Sequence, residues 1–224
     1  MNSENLLSID LDYCLTTKDF CSVSELAFYN LFKLKEDKVL FSTHHVDVLD
    51  LCKKTSAPLN IWNIDMHHDV FYEPIQDPAE IRNGIASSAN WVGWLCAHQY
   101  VNKYTWCKQP LSDEFSMDLA DAFFSMYQKS RNYDIVDSRN LIFNSKRAVT
   151  QEVSESYLKH KPDIEVETRI RRSFFDIEFD YLFVCQSPEY MPKEHHYMYD
   201  LLLSAKDEFF KNPNSKKNIR ETKE

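Results

Sequence analysis

The densest chemistry in this 224-residue chain lies in one short stretch, Asp65-Met66-His67-His68-Asp69, which follows the apolar run Leu59–Ile64. Its D-x-H-x-D spacing alternates acid, imidazole and acid. An extended backbone would put Asp65, His67 and Asp69 on one side. A second acidic pair, Asp10-Leu11-Asp12, follows the apolar run Leu6–Ile9. Two carboxylates on one face repel unless a cation compensates. A third cluster, His44-His45, follows Val39–Phe41. Singly, each has a plain explanation, because D-x-D is common at strand ends and a core or surface histidine is commoner than a ligand. Jointly, four carboxylates and two imidazoles can hold two divalent ions, with carboxylates bridging them. A set so rich in oxygen favours manganese over zinc, with iron or cobalt also compatible. Two such ions, roughly 3.5–4 Å apart, polarise a shared water near neutral pH.

Positioning these groups requires three strands that end at one edge of a sheet. Leu6–Ile9, Val39–Phe41 and Leu59–Ile64 each have the length of a buried strand. Between the first two, Val23 to Lys35 places Leu26, Phe28, Leu31 and Phe32 on a helical stripe that Ser22 or Ser24 could cap. His45 to Lys54 carries Val46, Leu49 and Cys52 at similar spacing. Strand, helix, strand, helix, strand predicts an α/β fold: a mainly parallel sheet with helices on both faces, three layers in all. In such a sheet, ligands bind beyond the carboxyl ends of the strands.

Further along, 86–101 and 117–129 read as amphipathic helices. Asp134–Val136 and Leu141–Phe143 could be strands and Val153–Lys159 a helix. Phe174–Cys185 returns to strand character, ending in Tyr181-Leu182-Phe183-Val184-Cys185. Pro188 and Pro192 precede a last helix over about 193–211. We expect one domain over 1–211 and a frayed polar tail over 212–224.

Composition narrows the partners. Hydrophobic residues at 43% and charged residues at 27% exclude a disordered chain, and 14% aromatics supply a sizeable core. A net charge of −9 argues against nucleic acid. No apolar run reaches the roughly 18 residues of a membrane span, and the N-terminus lacks a signal-peptide pattern. Six cysteines without a C-x-x-C pair suggest reduced, mostly buried thiols and a cytoplasmic protein. With only Gly84 and Gly93, no Gly-rich phosphate loop can be written.

The motifs together resemble the arginase/ureohydrolase superfamily. Trp62-Asn63-Ile64-Asp65-Met66-His67-His68-Asp69 is similar to its D-x-H-x-D strand end, Ser8-Ile9-Asp10-Leu11-Asp12 to its D-x-D, and Thr43-His44-His45 to its earlier metal histidine, with His45 preferred over His44. The order differs: D-x-D opens this chain, whereas in classical arginases it follows D-x-H-x-D. The permuted, short peptide arginases have that order. The resemblance covers 6–12 and 39–72 well and 181–190 loosely.

That resemblance implies an arginase-like, circularly permuted fold and two Mn2+ ions. Asp65 and Asp10 would bridge them, His45 and Asp69 completing one site, and His67 and Asp12 the other. It implies hydrolysis of arginine residues in a ribosomally made precursor peptide to ornithine and urea, with Asp65, Asp10 and Glu189 as the catalytic set. Glu189, in Cys185-Gln186-Ser187-Pro188-Glu189-Tyr190, matches a guanidinium-binding acid. Ser88-Ala89-Asn90-Trp91-Val92-Gly93 is similar in outline to the S-x-N-x-H-G stretch that reads free arginine, making Asn90 a substrate-binding residue. Val92 replaces the proton-shuttling His, which points to His98 as a substitute and to peptidyl rather than free arginine as substrate. A homo-oligomer is compatible with the sequence. Two other classes stay open: a different amidinohydrolase or a deacetylase-like metallohydrolase, and a non-enzymatic metal-binding module. The pair His195-His196 reads as a solvated helix face, and Trp91, Trp94 and Trp106 as core or as walls that grip a peptide.

Overall fold

The structure, a computed structural model, describes residues 3–71, 81, 85–98, 100–112, 115 and 162–212. The expected helices over 117–129 and 153–159, the strands over 134–136 and 141–143, and the tail beyond 212 lie outside them.

Six strands form one parallel sheet: β1 (Glu4–Asp10), β2 (Val39–Ser42), β3 (Leu59–Ile64), β4 (Val101–Cys107), β5 (Asp163–Glu167) and β6 (Tyr181–Cys185), in the order β2-β6-β1-β3-β4-β5. Four α-helices accompany them among the described residues: α1 (Thr17–Leu31), the short α2 (Leu49–Cys52), α3 (Trp91–Ala97) and α4 (Tyr197–Lys211). Side chains alternate across the strands, and each face builds its own core. On one face Leu6, Ile61, Tyr104 and Phe183 pack with α2 and α3. On the other Leu7, Ile9, Leu182 and Val184 pack with α1 and α4. The result is three layers, and a sheet covered on both sides accounts for the unbroken apolar runs.

The first three strands match their expected places, but only β1 and β3 are neighbours in the sheet. β6 lies between β2 and β1, because Leu6–Asp10 pairs with Tyr181–Cys185 on one side and with β3 on the other. The chain leaves β1 for β2 on one side and returns to β3 on the other, so a switch point falls between β1 and β3.

Other boundaries move for local reasons. Helix α1 starts at Thr17 because Thr16 and Asp19 form a reciprocal capping box, rather than at Ser22 or Ser24. The segment after β2 is a 3-10 turn over His45–Val48 before α2. The helix expected over 86–101 is confined to α3, and Val101 already opens β4, paired beside Leu59. Phe174 and Phe175 belong to a 3-10 turn, and the strand is confined to Tyr181–Cys185. A 3-10 turn over Lys193–His195 precedes α4.

Candidate metal centre

Asp10 ends β1 and Asp65 follows β3 directly, and their strands run level, with Ile9 opposite Ile64. His45 arrives from the turn after β2 and must reach across β6. It does so by lying on Phe183 and against Trp91, with ring centroids 5.5 and 5.0 Å away. Its Nδ1 then faces Asp10 Oδ2 at 3.1 Å, Asp65 Oδ2 at 3.2 Å and Asp69 Oδ2 at 3.0 Å. All four side chains are buried. His44, one residue earlier, is exposed.

A second group adjoins the first. His67 Nδ1 lies 3.1 Å from Asp12 Oδ2 and 3.9 Å from Asp65 Oδ1. Asp65 therefore turns one oxygen toward each group. Ligand atoms of Asp10, His45 and Asp65, and separately of Asp12, Asp65 and His67, lie within 4.8 Å of one another, close enough to share a metal ion.

The D-x-H-x-D residues meet by a route other than an extended strand. Asp65 Oδ1 accepts the His67 N–H at 2.8 Å, so the side chain turns the backbone as β3 ends. Asp69 then adopts a left-handed φ of 51°. Asp tolerates this region better than most residues. Its carbonyl accepts the N–H groups of Val92 and Gly93 at 3.0 and 3.3 Å, and its Oδ2 accepts Trp91 Nε1–H at 2.7 Å. The start of α3 thus holds Asp69 in the cluster.

Surrounding donors fix the remaining ligands. The Ser8 hydroxyl lies 2.7 Å from His45 Nε2, occupying that nitrogen and leaving Nδ1 to the carboxylates. Asn63 Nδ2 donates to Asp65 Oδ2 at 3.0 Å. The Ser187 hydroxyl donates to Asp10 Oδ2, and Ser187, at φ 45°, is the other left-handed non-glycine among the described residues. Both strained positions sit at the cluster, where surrounding contacts hold them. Ser8 was legible as the residue two before Asp10 on the same face. Ser187 was not, because its turn reaches Asp10 only through the β1–β6 pairing.

Burial and crowding raise the cluster's titrating groups. Burial pushes Asp12 well above the usual carboxylate range, and Asp10 and Asp65 push it further. Burial, then Asp69 and Asp10, raise Asp65 to about 7. The bond to Asp12 outweighs burial and lifts His67 to about 9. Burial alone would lower His45, yet the Asp69 charge and the bonds to Asp10, Asp65 and Asp69 outweigh it and hold it well raised. Three carboxylates converge on one His45 nitrogen, and a single N–H cannot satisfy them all. The donor set, four carboxylates and two imidazoles with Asp65 shared, fits hard divalent cations.

A cavity of about 250 Å3 opens over the cluster. The six clustered side chains line it together with Met66, His68, Phe71, Ser88, Ala89, Trp106, Ser187 and Tyr190. The other expected site residues are placed differently. Glu189 is exposed on the turn that carries Ser187 and Tyr190, and it is absent from the lining. Asn90 is buried, its Oδ1 accepting the Ser87 N–H at 2.8 Å, so it closes its own loop instead of lining the cavity. Val92 is core. His98 does not serve as the cavity's imidazole: it is buried at the far end of α3, stacked on Trp94, and burial lowers it to about 4. His68, which the spacing argument passed over, does line the cavity, and its Nδ1 accepts the Val70 N–H at 3.1 Å. Trp91 and Trp94 are core, while Trp106 is both core and cavity wall.

Compared with family models, curated proteins and solved structures, the chain matches none.

Proposed function

We propose that this chain is a metal-dependent hydrolase that converts arginine residues of a peptide to ornithine and urea. The observation that carries the reading is the arrangement of two adjoining groups, Asp10–His45–Asp65 and Asp12–Asp65–His67, sharing Asp65 at the carboxyl edge of the sheet, with Asp69 against His45. Two divalent cations held there, Mn2+ by preference, would supply the Lewis acidity that brings a water near ionisation at neutral pH.

The reaction adds water across the guanidinium carbon, breaks its bond to the side-chain Nε, and passes a proton to that nitrogen. The chain's own groups suit each part. The cavity is smaller than the roughly 300–1,000 Å3 of sites for drug-sized ligands, and fits one side chain. Phe71 and Trp106 offer apolar wall to its methylenes. His68 is the lining imidazole outside both ligand groups, and we assign it the proton transfer. Glu189 is exposed outside the lining, so its carboxylate would meet a cationic part of the substrate at the mouth rather than over the cluster. No Lys or Arg lines the cavity among the described residues, so a free amino acid's carboxylate meets no ammonium or guanidinium side chain there. That favours an arginine carried in a peptide.

The deciding experiment loads the protein with manganese and incubates it with arginine-containing peptides, read by mass spectrometry and a urea assay. Ornithine-containing product with stoichiometric urea is the expected result. Two bound manganese ions without urea release would leave a small-guanidine amidinohydrolase or a non-enzymatic metal module. One zinc and loss of acetyl groups would indicate a deacetylase.

A further inference from the structure

We propose that Tyr190 is the specificity-determining wall of this site and selects arginine carried on a peptide over free arginine. The proposal rests on reading the site as a guanidinium hydrolase. Among the lining residues only His67 and Tyr190 are exposed. Their rings meet edge to face with centroids 5.4 Å apart, so the pair marks the mouth of the cavity. Tyr190 is 64% exposed, a large aromatic surface left in water.

The backbone beneath the ring is tied down. Ser187 O accepts the N–H groups of both Tyr190 and Met191 at 3.0 Å. Met191 is buried in the core, and the Ser187 hydroxyl donates to Asp10. Tyr190 therefore stands on a turn anchored to the ligand cluster. A ring so placed can act as a preformed contact without the ordering cost of a loose loop.

A cavity of about 250 Å3 holds a side chain, so the rest of the substrate must lie across the mouth. There a peptide presents amide planes and neighbouring apolar atoms, which gain by covering an aromatic face. Free arginine has no neighbouring residues to cover that face, and its α-carboxylate gains nothing from the ring and keeps its water.

The test uses manganese-loaded wild type, Tyr190→Ala and Tyr190→Phe, with free arginine and a fluorescein-labelled peptide containing one central arginine. Turnover is measured alongside metal content. Peptide binding is measured separately by fluorescence polarisation on chelator-treated protein, where no turnover occurs. For Tyr190→Ala we expect peptide KM to rise about tenfold, with kcat and bound manganese unchanged; a tenfold loss is the scale of one good aromatic contact. Binding to the chelated protein should weaken by the same factor, free arginine should be unaffected, and Tyr190→Phe should behave as wild type. Unchanged peptide KM and binding in Tyr190→Ala, or an equal loss with free arginine, overturns the proposal while leaving the hydrolase reading intact. Tyr190-dependent binding by a wild type that releases no urea sinks the hydrolase reading and leaves the wall standing.

Discussion

Two neighbouring histidines are placed quite differently. His45 is buried with three carboxylates on its Nδ1, whereas His44 is exposed. His45→Ala should therefore weaken metal binding by more than about 100-fold, since loss of a mere supporting hydrogen bond already costs about 10–100-fold. His44→Ala should bind metal as wild type does. Equilibrium dialysis of the two variants against manganese checks both, and equal losses would remove His45 from the centre. Asp65 stands apart from its neighbours because its two oxygens face different groups. The structure thereby distinguishes it from Asp10, whose Oδ1 accepts the Asp12 N–H and whose Oδ2 turns to His45 and Ser187.

At the scale of elements, two helix starts do different work. The Thr16–Asp19 capping box begins α1 just after Asp12 and makes its hydrogen bonds within the box rather than to the cluster. The first turn of α3 instead holds Asp69 through Trp91 and two backbone amides. Thr16→Ala should lower unfolding stability by about 1 kcal/mol and leave manganese affinity unchanged. Trp91→Phe keeps an aromatic ring but leaves a small cavity and removes the donor to Asp69, and should weaken manganese binding by at least tenfold. Urea titration and metal titration of both variants separate the effects. A Trp91→Phe protein that binds metal normally would show that α3 only packs against the site.

Across the whole molecule, the cluster couples stability to pH and to metal. In chelated protein, Asp65 rises to about 7 from the ordinary aspartate value of 3.8, so the native state retains a proton there that the unfolded chain has released. Stability falls as pH rises through that interval. His67, raised to about 9 from 6.5, contributes stability that is complete below 6.5 and lost as pH climbs to 9. His98, lowered to about 4, opposes this between about pH 4 and 6.5, so the clear fall in the chelated protein's stability lies between about pH 6.5 and 9. Metal replaces those protons, so its stabilisation should grow over the same range. At a manganese concentration 100-fold above Kd, one site adds about 2.7 kcal/mol, or about 5–10 °C in Tm for a chain of this size. Thermal melts with and without chelator across that range test the coupling, and a chelated protein that gains stability toward pH 9 would contradict it.

From the chain alone, the apolar runs ending in Asp10, His45 and Asp65 were readable, because a strand buried on both faces needs a continuous apolar sequence. The parallel α/β class and the six clustered acids and histidines followed from that order. Strand neighbours did not, since pairing is long-range: β6, from the far end of the chain, slots between β2 and β1 and brings Ser187 to Asp10 and Tyr190 to the mouth. The backbone at Asp69 was equally hidden. Alternation along a strand placed its carboxylate correctly for the wrong reason, whereas the actual cause is a left-handed turn held by α3. His68 and His98 exchanged their expected importance because only tertiary packing decides which imidazole faces a cavity and which is sealed under a tryptophan. Residue types and spacing thus specified which groups could bind a cation, while sheet order and two strained backbone positions determined how they converge.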